Sequence, residues 1–115
     1  MLTSLKNIQN AEIISGDTVF LDVEVLAGGL PANLTGATSM IYKIKGLGFE
    51  VEKSLDDDVS YVDNIVTVKL NSEDTESIHG VFRHELEIID SIGEISTVFQ
   101  GQMRIRADII EHEVV

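Results

Sequence analysis

The sequence predicts an all-β domain built as a two-sheet sandwich, and three observations carry that expectation. Runs of alternating apolar and polar residues recur along the chain, as half-buried strands require because successive side chains point to opposite faces. Breaks rich in Gly, Asp and Asn separate these runs at roughly ten-residue spacing, which favours a sandwich or barrel over alternating strands and helices. The longest unit, residues 80–109, reads as a single hairpin. Its first run sets Phe82, His84, Leu86 and Ile88 against Arg83, Glu85 and Glu87. Its second sets Ile95, Thr97, Phe99, Met103, Ile105 and Ile109 against Ser96, Gln100, Gln102, Arg104, Arg106 and Asp108. Between them Asp90 can bond its own backbone two residues on, and Gly93 can supply the positive φ of a bulged loop.

In chain order, residues 1–10 carry Leu2, Leu5 and Ile8 as apolar positions and read as an edge strand or an arm. Ile13 and Ile14 form a short strand closed by the turn residues Gly16 and Asp17. Residues 18–26 put Val19, Leu21, Val23 and Val25 on a core face and turn Asp22 and Glu24 to water. Residues 27–36 contain three glycines and the only proline, a connection long enough to pass between sheets. From 37–45, Thr38, Met40, Tyr42 and Ile44 point inward while Ser39, Lys43 and Lys45 point out. Beyond Gly46-Leu47-Gly48, Phe49, Val51 and Leu55 alternate with Glu50, Glu52 and Ser54. Asp56-Asp57-Asp58 is an acidic turn, 59–62 a short strand, and 65–70 a strand with Val66, Val68 and Leu70 inward.

Residues 71–78 hold the one helical candidate, a short turn near 72–78. Asn71 or Ser72 can cap it, and Glu73 and Asp74 fall in a first turn where the helix dipole favours acids. Residues 111–115 are expected to be a tail. The result is seven or eight short antiparallel strands in one domain spanning 1–115. An immunoglobulin-like architecture suits that spacing, without the cysteine pair and tryptophan of antibody domains. Its expected core is Val19, Leu21, Val23, Met40, Tyr42, Val66, Val68, Phe82, Leu86, Phe99 and Ile105.

A chain of 115 residues buries roughly 65% of its unfolded surface and needs no staple. With no cysteine, thiol chemistry, disulfides and thiolate zinc sites are excluded together. Twenty acidic against eight basic residues leave a net charge of −12, a field that repels nucleic acid and anionic membranes. No apolar stretch reaches a membrane span, and the first ten residues lack the apolar centre of a signal peptide, so synthesis and folding in a cytoplasm are expected.

Neither a catalytic nor a cofactor-binding constellation emerges. The histidines, His79, His84 and His112, are dispersed, and His84 falls on an inward strand face where a buried neutral imidazole is expected. Asp56-Asp57-Asp58 offers hard oxygen ligands for calcium but lacks the glycine and distal glutamate of an EF-hand loop, and a solvated turn is the expected reading. There is no nucleophile elbow, and Gly46-Leu47-Gly48 lacks the third glycine of a dinucleotide loop. No metal ligand is assigned.

Several short motifs do resemble a family. They are Ser15-Gly16-Asp17-Thr18-Val19, Leu34-Thr35-Gly36-Ala37-Thr38, Gly80-Val81-Phe82 ahead of Glu85-Leu86-Glu87-Ile88, and the ending Gly93-Glu94, Thr97-Val98-Phe99-Gln100-Gly101 and Ile105-Arg106-Ala107-Asp108-Ile109. Together they resemble the immunoglobulin-like N-terminal domain of phage baseplate upper proteins and related tail-associated proteins. That resemblance implies a non-enzymatic structural module of a phage or prophage particle (baseplate, tail, neck or head) working by protein–protein contact. It would be made in a bacterial host cytoplasm and would end up in the virion. Its expected partners are further copies of itself, other virion proteins, or both, with no nucleic acid, membrane or cofactor. The alternative is an adhesion domain that binds a receptor or carbohydrate.

A sandwich leaves edge strands with unpaired backbone groups, which isolated domains guard with charge, proline or bulges. The expected edges are 49–55 and 2–9, the latter guarded only by Lys6. Phe20, Ile41 and Ile89 lie among polar residues on outward faces. The candidate interface is therefore Leu2, Leu5, Ile8, Phe20 and Ile41, in a homo-oligomer or a partner-completed edge.

Overall fold

A computed structural model describes residues 1–4 and 10–109. Among them are ten strands and one short helix: β1 (Leu2–Ser4), β2 (Ala11–Ile14), β3 (Val19–Ala27), β4 (Leu30–Pro31), β5 (Ser39–Gly46), β6 (Phe49–Leu55), β7 (Asp58–Val62), β8 (Ile65–Leu70), α1 (Ser72–Thr75), β9 (Gly80–Ile89) and β10 (Ile95–Arg106). The all-β expectation holds, and the helix sits inside the expected 72–78. The strands form one mixed sheet in the order β1-β3-β8-β7-β6-β5-β9-β10-β2, with β4 attached to β3. The sheet curls until its first strand returns to its eighth: the backbone N–H of Leu2 donates to Ser96 Oγ at 3.1 Å.

Two pairings correct the antiparallel expectation: β2 runs parallel to β10, and β6 parallel to β7. The first follows from the path of the N-terminal segment. β1 runs antiparallel to β3, and β2 runs parallel to β10, which itself runs opposite to β3. The second follows from the acidic turn. Asp56 and Asp58 have φ of 66° and 69°, the left-handed region that Asp tolerates better than most side chains. Two such kinks displace the chain sideways without reversing it. Only Ser54↔Asp58 and Leu55↔Val59 then join β6 to β7.

The core lies inside the curl. Met40, Tyr42, Ile44, Leu70, Leu86, Ile88, Met103 and Ile105 are fully buried, with Val23, Val25, Val66, Val68 and Phe99 around them. Full burial of such side chains stabilises by about 1.5–3 kcal/mol each. Val19, Leu21 and Phe82 only pack half-buried against this core, and Thr38 and Ile109 are exposed.

The hairpin of β9 and β10 forms as expected, but its second strand does not keep one face throughout. The register shifts between Thr97 and Phe99, leaving Val98 as the extra residue of a bulge. Ser96, Val98, Phe99, Met103 and Ile105 are buried, while Ile95 and Thr97 face water. Alternation is restarted out of phase at the bulge, so the expected inward placement of Ile95 and Thr97 fails. On β6, Lys53 shares the row of Phe49, Val51 and Leu55. It sits on the inward face of β6, buried with Val51.

Candidate interaction surface

Of the residues expected at an interface, the three described, Leu2, Phe20 and Ile41, are not brought together. Leu2 is buried, paired across β1 with Ala27 and packed into the core cluster, so it cannot serve as an exposed contact. The reason is the Leu2–Ser96 hydrogen bond and the β1–β3 ladder, which fold the strand back onto its own sheet. Phe20 is 61% exposed on the outer face of β3, seven residues from Ala27 and so about 23 Å from Leu2 along the strand. Lys69 Nζ lies 5.9 Å from the centre of its ring. Ile41 is half-buried on β5, four strands away, between Ser54 and Glu87. Leu5 and Ile8, with His112 and the expected tail, lie outside the described residues.

Among the described residues the buried polar side chains are partnered except Ser4, whose hydroxyl has no hydrogen-bond partner. Tyr42 Oη and His84 Nδ1 are 2.8 Å apart in the core, and the imidazole meets the Phe99 ring edge-on at 4.9 Å. Burial pushes the Tyr42 phenol well above its ordinary range, so it keeps its proton. Lys53 Nζ sits 2.8 Å from Asp58 Oδ2 and 2.8 Å from Asp74 Oδ2. Asn71 closes the cluster: its Nδ2 donates to Asp58 Oδ2 and its backbone N–H to Asp74 Oδ2. Burial pulls the Lys53 ammonium toward a lower pKa, but the hydrogen bonds and charges of both aspartates outweigh it and leave it raised. The Lys53 hydrogen bond in turn holds the Asp58 carboxyl below its usual range. This cluster clasps the β6–β7 kink to α1. No role for Lys53 was read from sequence, although alternation puts it on the row of Phe49, Val51 and Leu55; that parity and the acids Asp58 and Asp74 were the signal.

Within the acidic run, Asp58 is thus committed to Lys53 and Asn71. Among the described residues no group of three His, Asp or Glu side chains is arranged to hold a metal ion, and no helix is long and apolar enough to cross a membrane.

The outer surface is indented by shallow open grooves. One of about 300 Å³ runs beside Phe20, Val59, Thr67 and Lys69. A larger one, about 400 Å³, is lined by Leu47, Phe49, Ile78, His79, Val81 and Phe82, among others. Its floor is built by stacking. The Phe49 and Phe82 rings are 5.0 Å apart, and Phe82 lies so close over Gly46 that a Cβ there would collide with the ring. Leu47 is fully exposed on the β5–β6 turn and Val81 is 60% exposed. A third depression shares His79, Gly80 and Val81 and adds Arg104 and Arg106. No protein-family model matches the chain, and no curated protein is similar enough in sequence to count as a relative.

Proposed function

We propose that this chain is a non-enzymatic structural module that acts through protein–protein contacts, and that it does so in a phage or prophage particle. The single observation that carries the contact reading is apolar exposure on a strongly acidic chain. Leu47, Val81, Phe20, Leu30, Val62, Ile92 and Ile95 are exposed although the net charge of −12 already supplies ample solvation. Exposed apolar patches of this kind mark interaction sites. The particle reading rests on the resemblance carried by the Gly-Asp-Thr, Leu-Thr-Gly and Gly-aromatic motifs.

The finer architecture belongs to the same proposal. We infer an immunoglobulin-like sandwich, with β1-β3-β8-β7 as one layer and β6-β5-β9-β10-β2 as the other. What supports it is the strand order together with the thin two-pair link between β6 and β7. Layers of this kind carry contacts on their faces and loop ends while the core stays constant.

The test is the composition of particles from a strain carrying the gene. Peptides of this chain in purified particles, and tail or capsid genes beside its own, support the proposal. A chain absent from particles that binds glycans as a concentration-independent monomer overturns it in favour of the adhesion reading.

A further inference from the structure

The apolar residues of the outer surface collect at opposite ends of the molecule. At the end where β9 starts and β10 finishes lies the groove between Leu47, Val81 and Phe82. Four of the chain's eight basic residues, Lys45, Arg83, Arg104 and Arg106, stand on the strand ends around it. Of the acids at that end, Glu50 pairs with Lys45 and Glu12 with Arg106, Glu73 and Glu76 sit on and just after α1, and Asp17 and Asp108 stand before β3 and after β10. The cations left to meet a partner on the β9–β10 face are therefore Arg83 and Arg104.

The other end carries the β9–β10 turn. There Ile92 is 83% exposed, held out by a tight loop in which Asp90 Oδ1 accepts from the backbone N–H groups of Ile92 and Glu94. Gly93, at φ 86°, provides the left-handed step that points the tip away from the sheet. Asp90 and Glu94 flank the tip. Among the described residues the only positive group there is the amino terminus, 3.4 Å from Glu94 Oε1.

We propose that the turn end of one copy docks into the groove end of the next, with Ile92 seated between Leu47 and Val81. Asp90 and Glu94 then face Arg83 and Arg104, and opposite charges meet around an apolar centre. The knob and the groove lie at opposite ends of one body, separated by the length of β9, so a chain cannot satisfy itself. The contact is heterologous, and repetition gives a ring if the rotation closes or a filament if it does not. This inference deepens the structural-module reading by naming a second copy as the partner.

The experiment uses the full chain and two variants at exposed positions, Ile92→Glu and Leu47→Glu, each checked for unchanged far-ultraviolet circular dichroism. Wild type is expected to gain mass with concentration in light scattering. Each variant alone should self-associate roughly tenfold more weakly or worse, as loss of a buried interface anchor does. Their one-to-one mixture should form a heterodimer with the contact affinity of wild type that grows no further, because the intact ends, Leu47 of one and Ile92 of the other, allow a single contact that cannot extend. A wild type that stays monomeric up to its solubility limit overturns the inference, while particle composition still decides the structural-module reading. Variants that assemble like wild type overturn it too, and leave that reading standing with a different surface.

Discussion

Lys53 Nζ bridges two carboxylates in a setting where its alkyl stem is buried beside Val51. Breaking such a pair leaves charge without a partner, which costs more than the intact pair contributes. Lys53→Met is therefore expected to destabilise, at or below the low end of about 3–5 kcal/mol because both aspartates keep some water contact; urea unfolding measures it. The cluster also dictates the acid limb. Asp58 has a folded pKa depressed below 3.8, so its contribution is present above 3.8 and is lost as pH falls through the lower folded value. Lys53 has a folded pKa raised above 10.5, so its contribution is complete below 10.5 and is lost as pH rises past the folded value. Stability should fall at both extremes in wild type, and both falls should be shallower in Lys53→Met. Calcium or a chelator should leave the melting temperature unchanged, because Asp58 and Asp74 already hold the lysine. In the core, Tyr42→Phe strips the partner from His84 Nδ1 and should cost about 1–3 kcal/mol, the penalty of a buried polar atom losing its bond. Phe82→Ala, expected from sequence to cost about 3–5 kcal/mol, should cost less, since the ring is only half-buried.

At the scale of elements, β10 shows how one residue changes a strand's meaning. Ser96 opposes Ile88, Thr97 opposes Glu87, and Phe99 opposes Leu86, so Val98 is inserted between two correctly facing halves. Deleting Val98 leaves the remaining order of buried and exposed positions unbroken. Its expected cost is about that of one buried valine, ~1.5–3 kcal/mol, and the chain should still melt cooperatively. Deleting Gln100 instead turns one half of the strand over, placing Phe99 or Met103 in water, and should abolish folding. Comparing the two deletions by thermal circular dichroism checks the register; equal losses would contradict the bulge. In the same way the left-handed Asp56 and Asp58 let β6 pass into β7 without a hairpin.

The whole molecule measures 48 × 25 × 22 Å and carries a net charge of −12. Paired lysines relieve only part of this: Lys43 is shared by Glu50 and Glu52 on the outer sheet face. Self-repulsion of the remaining carboxylates opposes the compact state, and salt screens it over roughly 8 Å at physiological ionic strength. Adding neutral salt should therefore raise the melting temperature. A fall would mean that surface ion pairs contribute more than repulsion costs.

Several features were legible in sequence because they depend on local periodicity. The inward rows Val23 and Val25, Met40, Tyr42 and Ile44, Val66, Val68 and Leu70, and His84, Leu86 and Ile88 are all buried as alternation requires. The β9–β10 turn follows from Asp90 and Gly93, and the short helix from Asn71 and the acids after it. Period two, however, says which residues share a face and nothing about which strand lies beside them. The split of the N-terminal strand between β3 and β10, the parallel crossing at Asp56–Asp58, and the burial of Lys53 are decided by contacts between residues far apart in the chain. So is the gathering of Leu47, Val81 and four basic side chains at the end opposite Ile92. Tertiary structure decides these because backbone hydrogen bonds and buried charges must find partners wherever the curl of the sheet brings them.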